Sequence, residues 1–104
     1  MELKITKADR DRLAKCERDY ILAKSKLAKA PKDKKAQQHF SECGTVYGHE
    51  SMVSPVLPAK VKYKQALRIY REVLKVDPRN PVARTESELI ITIYKQMHLP
   101  IPKD

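Results

Sequence analysis

The chain has 104 residues, of which 41% are hydrophobic and 34% charged, and this balance predicts one globular domain rather than a disordered segment. A formal net charge of +9 favours anionic partners in general, without choosing between nucleic acid, acidic proteins and lipid headgroups. No apolar run is long enough for a membrane span, and Met1–Lys7 lacks a signal-peptide core. We therefore expect a cytoplasmic protein, with Cys16 and Cys43 as reduced thiols rather than a disulfide framework.

The first predicted helix runs from about Lys7 to Lys29. Thr6 and Asp9 form a capping-box pattern at its start, and Pro31 ends it. Apolar side chains recur at steps of three and four residues, which predicts one buried face. That stripe consists of Leu13, Cys16, Tyr20, Ala23 and Leu27.

The second predicted helix runs from about Lys34 to Tyr47. Asp33 is its expected N-cap, and Gly48 is the expected C-terminal glycine. Residues 48–58 contain two prolines three apart, so we predict a loop of about ten residues there. The apolar stripe of this helix consists of Ala36, Phe40, Cys43 and Tyr47.

The third and fourth predicted helices cover residues 59–76 and 81–97. Asp77-Pro78 ends the third, and Asn80-Pro81 supplies an N-cap followed by proline at the first helical position. Residues 99–102 read Leu-Pro-Ile-Pro, and because proline at every second position cannot be helical, we expect a tail draped over the helices. The third helix is expected to bury Tyr63, Ala66, Leu67, Tyr70, Val73 and Leu74, and the fourth Val82, Ala83, Leu89, Ile90, Ile93 and Tyr94.

The chain repeats itself at an offset of 47 residues. Each copy contains the end of one helix, a proline turn and the start of the next helix, which predicts a repeated helix pair. The matched positions are Leu27 with Leu74, Pro31 with Pro78, Ala36 with Ala83, Cys43 with Ile90, Val46 with Ile93, and Tyr47 with Tyr94.

Two segments resemble halves of a tetratricopeptide repeat (TPR). The run YKQALRIYREVLKVDPRNPVA is similar to the second half, and FSECGTVY to the first. The positions that carry this resemblance are Phe40, Cys43, Gly44 and Tyr47 in the first half, and Ala66, Tyr70, Val73 and Pro78 in the second.

The resemblance implies antiparallel helix pairs stacked in a right-handed superhelix whose groove binds peptides. We therefore predict an all-α fold: one domain over residues 1–104 with about four helices in a short TPR-like solenoid. Two departures are evident. The 34-residue period of the family is lengthened by about ten residues through the proline loop, and Ile91 occupies a glycine position. The small residues Gly44 and Ala66 would let helices approach to about 8–10 Å.

Carried over by position, the resemblance implies a partner groove on the second and fourth helices. The lysine and asparagine clamp by which some family members hold a peptide carboxylate is not matched, so the groove is expected to be mostly neutral and polar. The groove candidates are Ser41, Thr45, Gly48, Glu88, Thr92 and Lys95.

Positive charge concentrates at the connection between the first and second predicted helices and on the third helix. Two interpretations remain: an anion-binding surface for RNA or another polyanion, or a solvated helix exterior. The polyanion candidates are Lys29, Lys32, Lys34, Lys35, Lys60, Lys62, Lys64, Arg68 and Arg71.

The proline loop carries apolar side chains that are either docking elements or a cover over the core. These candidates are Met52, Val53, Val56 and Leu57.

Catalytic and metal motifs are weak. His39 and Cys43 lie four apart on one helix, but no CxxC or HxxxH pair accompanies them, and no motif places a base beside either thiol. We therefore predict a non-enzymatic scaffold or adaptor without catalytic residues, metal or cofactor, which binds another protein or peptide; RNA or polyanion binding is the alternative. Because short repeat arrays usually need about three repeats for stability, we also expect self-association or stacking on a larger partner.

Overall fold

The computed structural model describes residues 4–103 and confirms an all-α fold. Its helices are α1 (Lys7–Lys29), α2 (Lys34–Val53), α3 (Ala59–Val76) and α4 (Pro81–Gln96), and the described part of the chain contains no strand. The predicted domain also includes residues 1–3 and 104, which lie outside the described residues.

Three predicted N-caps are present. Thr6 Oγ1 accepts a hydrogen bond from the Asp9 amide at 3.1 Å, and the Asp9 carboxylate accepts one from the Thr6 amide at 3.0 Å, which completes a capping box. Asp33 caps α2 through the Lys35 amide, and Asn80 caps α4 through the Ala83 amide. The helix starts therefore follow from short-range chemistry.

Helix α2 is longer than predicted. It continues through Gly48 to Val53, and the connecting loop is only Ser54–Pro58. Gly48 does not end the helix, because its φ is not positive and it is buried against Tyr70. The helix ends where the residue before Pro55 is forced out of helical backbone. The prediction of a 48–58 loop was therefore wrong over its first six residues.

The core is formed mainly where α2 meets its neighbours. Tyr20 of α1 packs against Phe40 and Tyr47 of α2, with ring centroids 5.3 and 5.4 Å apart. On its other side, α2 places Gly44 and Gly48 against α3, where neither carries a Cβ that would hold the helices apart. The buried apolar residues are Leu13, Cys16, Tyr20, Ala23, Phe40, Tyr47, Ala66, Leu67, Ile69, Tyr70, Val73, Ala83 and Ile90.

Extensive packing joins consecutive helices: α1 with α2, α2 with α3, and α3 with α4. Short connections make consecutive helices antiparallel, so α2 and α4 run in the same direction. The described residues form a flat body of 47 × 33 × 19 Å. Side-chain hydrogen bonds join Ser41 of α2 with Asn80 and His49 of α2 with Glu86, so parts of α2 and α4 lie within side-chain reach of each other.

The tail after α4 folds back over α3. His98, with φ of 56°, lies in the left-handed region, and the Leu99 amide donates to the Tyr94 carbonyl at 3.0 Å. This pattern is a Schellman motif in which histidine takes the position usually held by glycine. Ile101 packs against the core, and Arg71 Nη1 donates to the Pro102 carbonyl at 2.5 Å. The segment after α4 thus lies over the helices, as predicted. Among the described helices, none is long and apolar enough to cross a membrane.

Candidate functional site

Two polar links join the parallel helices α2 and α4. Beside the start of α4, Asn80 Nδ2 donates to Ser41 Oγ at 2.7 Å, and Ser41 Oγ donates to the Asp77 carboxylate at 2.9 Å. About two helical turns further along both helices, His49 Nδ1 lies 3.2 Å from Glu86 Oε1 and forms an ion pair when the imidazole is protonated. These links fix the register of the two helices.

Exposed apolar side chains surround the His49–Glu86 pair. Val46 and Val53 lie one turn before and one turn after His49, so they share its helix face, and each is 55% exposed. Val82 and Leu89 flank Glu86 in the same way and are 43% and 50% exposed. We name Val46, His49, Val53, Val82, Glu86 and Leu89 the α2/α4 face. The prediction that Val82 and Leu89 are buried was wrong, because both lie beyond the edge of the α3 contact.

A buried tyrosine fixes the acidic member of this face from below. Tyr70, fully buried, donates its hydroxyl hydrogen to Glu86 Oε2, and it also contacts Met52 Sδ at 3.8 Å. Burial, reinforced by the hydrogen bond and charge of Glu86, raises the pKa of Tyr70 well above its ordinary value. The Glu86 carboxylate is therefore held between a neutral phenol and the exposed imidazole.

The six predicted groove residues do not form one surface. Ser41 and Gly48 are buried where α2 meets its neighbours, so neither is open to a ligand. Thr45 is half-buried, with its hydroxyl bonded to the Glu42 carbonyl at 2.9 Å. The remaining three, on α4, are exposed: Glu88, Thr92 and Lys95.

Sequence reasoning missed the pair that organises this face. His49 and Glu86 each have an apolar residue at one helical turn on both sides, and this pattern is visible in the sequence. The signal that could have revealed the face was a charged residue with apolar residues one turn before and after it, found on both the second and the fourth helix, which occupy equivalent positions in the repeat. It was obscured because Val82 and Leu89 had been placed in the core.

The loop candidates mostly cover the core. Met52 and Val53 belong to α2, and only Val53 is exposed. Met52, Val56 and Leu57 pack against the buried cluster. Three of the four apolar side chains of this segment therefore cover the core, and only Val53 is open for docking.

The basic candidates fall into separate groups. Lys29, Lys32, Lys34 and Lys35 are exposed around the turn between α1 and α2. On α3, Lys62 is two residues from both Lys60 and Lys64 and so faces another direction. The remaining α3 cations follow the helix at steps of three and four and are joined by one from the tail. We name this set the α3 cation stripe: Lys60, Lys64, Arg68, Arg71, Lys75 and Lys103.

Glu72 is the acidic residue beside the stripe, and it is already paired. Its Oε2 accepts hydrogen bonds from Tyr20 Oη at 2.5 Å and Lys24 Nζ at 2.8 Å. Burial raises the pKa of Glu72, but these hydrogen bonds outweigh it and hold the pKa below its ordinary value. Its charge is therefore offset largely by α1 rather than by the stripe.

Neither thiol has the lowered pKa that is typical of a nucleophilic cysteine. Burial raises the pKa of both Cys16 and Cys43, whereas nucleophilic cysteines have depressed values. Cys43 Sγ lies 3.7 Å from His39 Nε2. Within residues 4–103, no group of three or more His, Cys, Asp or Glu side chains is placed to hold a metal ion.

No family model, curated protein or solved structure matches this chain. The TPR resemblance therefore rests on the residues named above.

Proposed function

We propose that this chain is a non-enzymatic protein-interaction module of the TPR-like type, and that its α2/α4 face binds a segment of a partner protein. The observation that carries the proposal is the set of four exposed apolar side chains around one hydrogen-bonded His–Glu pair. Apolar residues scattered singly on a surface need no explanation, but four that each lie one helical turn from the same polar pair are more typical of an interaction site.

The TPR-like assignment is supported by how the motif residues are used. Gly44 and Ala66 occupy close-packed positions between helices, and Tyr70 is fully buried. Packing concentrated between consecutive helices is also typical of repeat proteins, in which each unit contacts its neighbours. A helix-pair repeat of this kind places its first helices side by side, as α2 and α4 are.

The non-enzymatic assignment is supported by the chemistry of the candidate groups. Both thiols have raised pKa values, and the His49–Glu86 pair is flanked by valine and leucine rather than by a nucleophile. An acid–base pair without a reacting group beside it is better suited to hydrogen bonding with a bound segment.

A capture experiment with matched surface variants tests this function. The tagged full-length chain would be used to capture proteins from source lysate after nuclease treatment, at low and moderate salt. We expect a discrete protein to be retained by the unaltered chain and by Ile21→Asp, a control at a 54% exposed apolar residue of α1. Leu89→Asp should lose it, because truncating a central interface residue costs about 1–3 kcal/mol, or roughly 5- to 150-fold in affinity.

Two results would contradict the proposal. Equal capture by the Leu89→Asp and Ile21→Asp variants would show that the α2/α4 face is not used. Capture that disappears on nuclease treatment would instead favour the alternative, RNA or polyanion binding through the lysine-rich surfaces, whose affinity falls steeply with salt.

A further inference from the structure

A second surface lies along α3 and the end of α4. Between the start of α3 and the end of α4 is an apolar slot of about 240 Å³. This exceeds the roughly 150 Å³ cavity that can hold a benzene molecule, yet it is below the usual volume of a drug-sized pocket. The slot therefore matches one large side chain. Its walls are Ala59, Lys60, Tyr63, Ile93, Tyr94, Met97 and Leu99.

The Schellman motif at the end of α4 builds one wall of this slot. The reversal at His98 brings Leu99 back beside Tyr94, which is the hydrophobic contact that usually accompanies this motif. Met97 and Leu99 remain 60% and 46% exposed at the rim. The slot thus opens outward and is not filled by the chain itself.

The slot continues directly into the α3 cation stripe. Lys60 belongs to both, and the stripe extends from it to Lys75, about 22 Å at 1.5 Å per residue. Towards the far end of the stripe, Arg68, Arg71, Lys75 and Lys103 line a shallow depression of about 510 Å³ with Glu72 and Leu74. Because Glu72 is paired with Lys24 and Tyr20 of α1, the stripe carries a strong positive surplus.

We propose that this second surface binds an acidic segment of a protein, with one large apolar side chain in the slot and carboxylates along the α3 cation stripe. Apolar and anionic groups then come from neighbouring residues of one chain. Nucleic acid would satisfy the stripe through its phosphates, but its bases carry polar edges, and a slot lined mainly by apolar side chains offers those edges few hydrogen-bond partners. The inference is independent of the α2/α4 face.

The test uses the full-length chain and fluorescein-labelled peptides of stated composition. The probe is a twelve-residue glutamate-rich peptide with one central phenylalanine, and its partner has serine in place of the phenylalanine. A twelve-nucleotide oligouridylate serves as the nucleic-acid probe. Binding is followed by fluorescence anisotropy, and the bound residues are located by amide chemical-shift changes.

We expect the phenylalanine peptide to bind, with shift changes at residues 59–64 and 93–103. The double variant Lys64→Glu/Arg68→Glu should weaken it by at least about tenfold, because it reverses two charges in the stripe. The matched control Lys32→Glu/Lys35→Glu changes the net charge equally at the α1–α2 turn and should have a much smaller effect. The serine peptide should bind at least about fivefold more weakly.

The opposing outcomes are also distinct. Failure of the unaltered chain to bind the phenylalanine peptide overturns the proposal. If the two double variants lost the same affinity, binding would be non-specific electrostatic attraction rather than recognition by the stripe. If the two peptides bound equally tightly, the slot would have no part in binding. Tighter, stripe-dependent binding of oligouridylate would identify nucleic acid as the ligand instead. Because Leu89 lies outside this surface, Leu89→Asp should leave peptide affinity unchanged, so failure here is separable from failure of the proposed function.

Discussion

Gly48 offers a direct test of how α2 packs on α3. A Cβ built at this position would lie 2.5 and 2.7 Å from the Cε1 and Cζ atoms of Tyr70. Real Cβ atoms essentially never approach a carbon this closely, so Gly48→Ala requires one partner to move. Tyr70 is fully buried and hydrogen-bonded to Glu86, and its ring is held at both ends. The contact therefore falls on a rigid group rather than on the end of a flexible side chain.

Two opposing effects decide the size of the change. Alanine is better than glycine within a helix by about 1 kcal/mol. Overpacking a well-filled core costs about 1–3 kcal/mol, and moving Tyr70 also disturbs its hydrogen bond, which contributes about 1.5–3 kcal/mol because its acceptor is charged. We expect a net loss of about 2 kcal/mol in the free energy of unfolding. In a domain of about this size that corresponds to a melting temperature roughly 8–16 °C lower.

Thermal and urea unfolding followed by circular dichroism would measure this loss. Val46→Ala, two residues away on the exposed side of the same helix, is the matched control and should change the free energy of unfolding by less than about 0.5 kcal/mol. If Gly48→Ala were as stable as the unaltered chain or more so, the helix-propensity gain would have prevailed. The close approach of α2 to Tyr70 would then be refuted.

Four further predictions concern single groups. Because the pKa of Tyr70 is raised in the folded state, this tyrosine ionises first in the unfolded chain, and the free energy of unfolding should decline above about pH 10. The decline should be less steep in Tyr70→Phe, and equilibrium unfolding at alkaline pH would measure it. For Glu72, whose pKa is lowered, the stabilisation is present above its unfolded value and lost as pH falls through its folded value. Glu72→Gln should therefore cost about 0.5–1 kcal/mol at pH 7 and nothing measurable well below pH 4, in urea titrations at both pH values. His98→Gly should raise stability by about 0.5–1 kcal/mol, because glycine adopts a positive φ without steric cost, and calorimetry would measure it. A variant that ends at His98 loses the Ile101 contact and should show both a lower melting temperature and more self-association in light scattering.

The helix starts were predictable because they depend on few, local groups. Thr6, Asp33 and Asn80 each bond an amide two or three residues ahead, and such bonds form wherever the sequence places the acceptor. The helix ends before Pro31 and Pro78 were similarly accessible, since proline acts on the backbone directly. Fold class followed from these boundaries together with helical periodicity.

The extent of α2 was not predictable from the same local rules. Glycine after a tyrosine is a common helix end, and nothing nearby in the sequence argues against it at Gly48. The helix continues because of tertiary contacts with α3. Gly48 admits the Tyr70 ring, and Ser51 in the following turn is bonded to Gln65 at 3.0 Å. A close-packing glycine and a capping glycine look alike until the partner helix is known.

The α2/α4 face escaped prediction for a related reason. Whether Val82 and Leu89 are buried depends on how far α3 extends across α4, and helical periodicity marks a stripe without giving its width. The spacing of apolar residues around His49 and around Glu86 is visible within each helix, but the two helices are separated by α3 in the sequence, so no local pattern records that the two residues pair. Sites formed between parallel, non-consecutive helices are set by tertiary register, and a single sequence carries little information on that register.

The two edges of the helical array are covered in different ways, which bears on the expected self-association. Through the 47-residue offset, the buried Ala66 and Val73 of α3 correspond to Asp19 and Lys26 of α1. Leu22, which corresponds to the buried Ile69 and lies between these two charged residues on the same helix face, is 60% exposed, so this side of α1 is charged but keeps an apolar residue open. At the other edge, the tail lies over α3 and packs the partly buried Ile101 against the core. We expect any self-association to use the apolar side chains that remain exposed, which lie on the α2/α4 face, at the rim of the slot, and on α1 at Ile21 and Leu22. Light scattering of Leu89→Asp beside the unaltered chain tests the first of these surfaces: a dimer that survives the substitution would assign association to the slot or to α1.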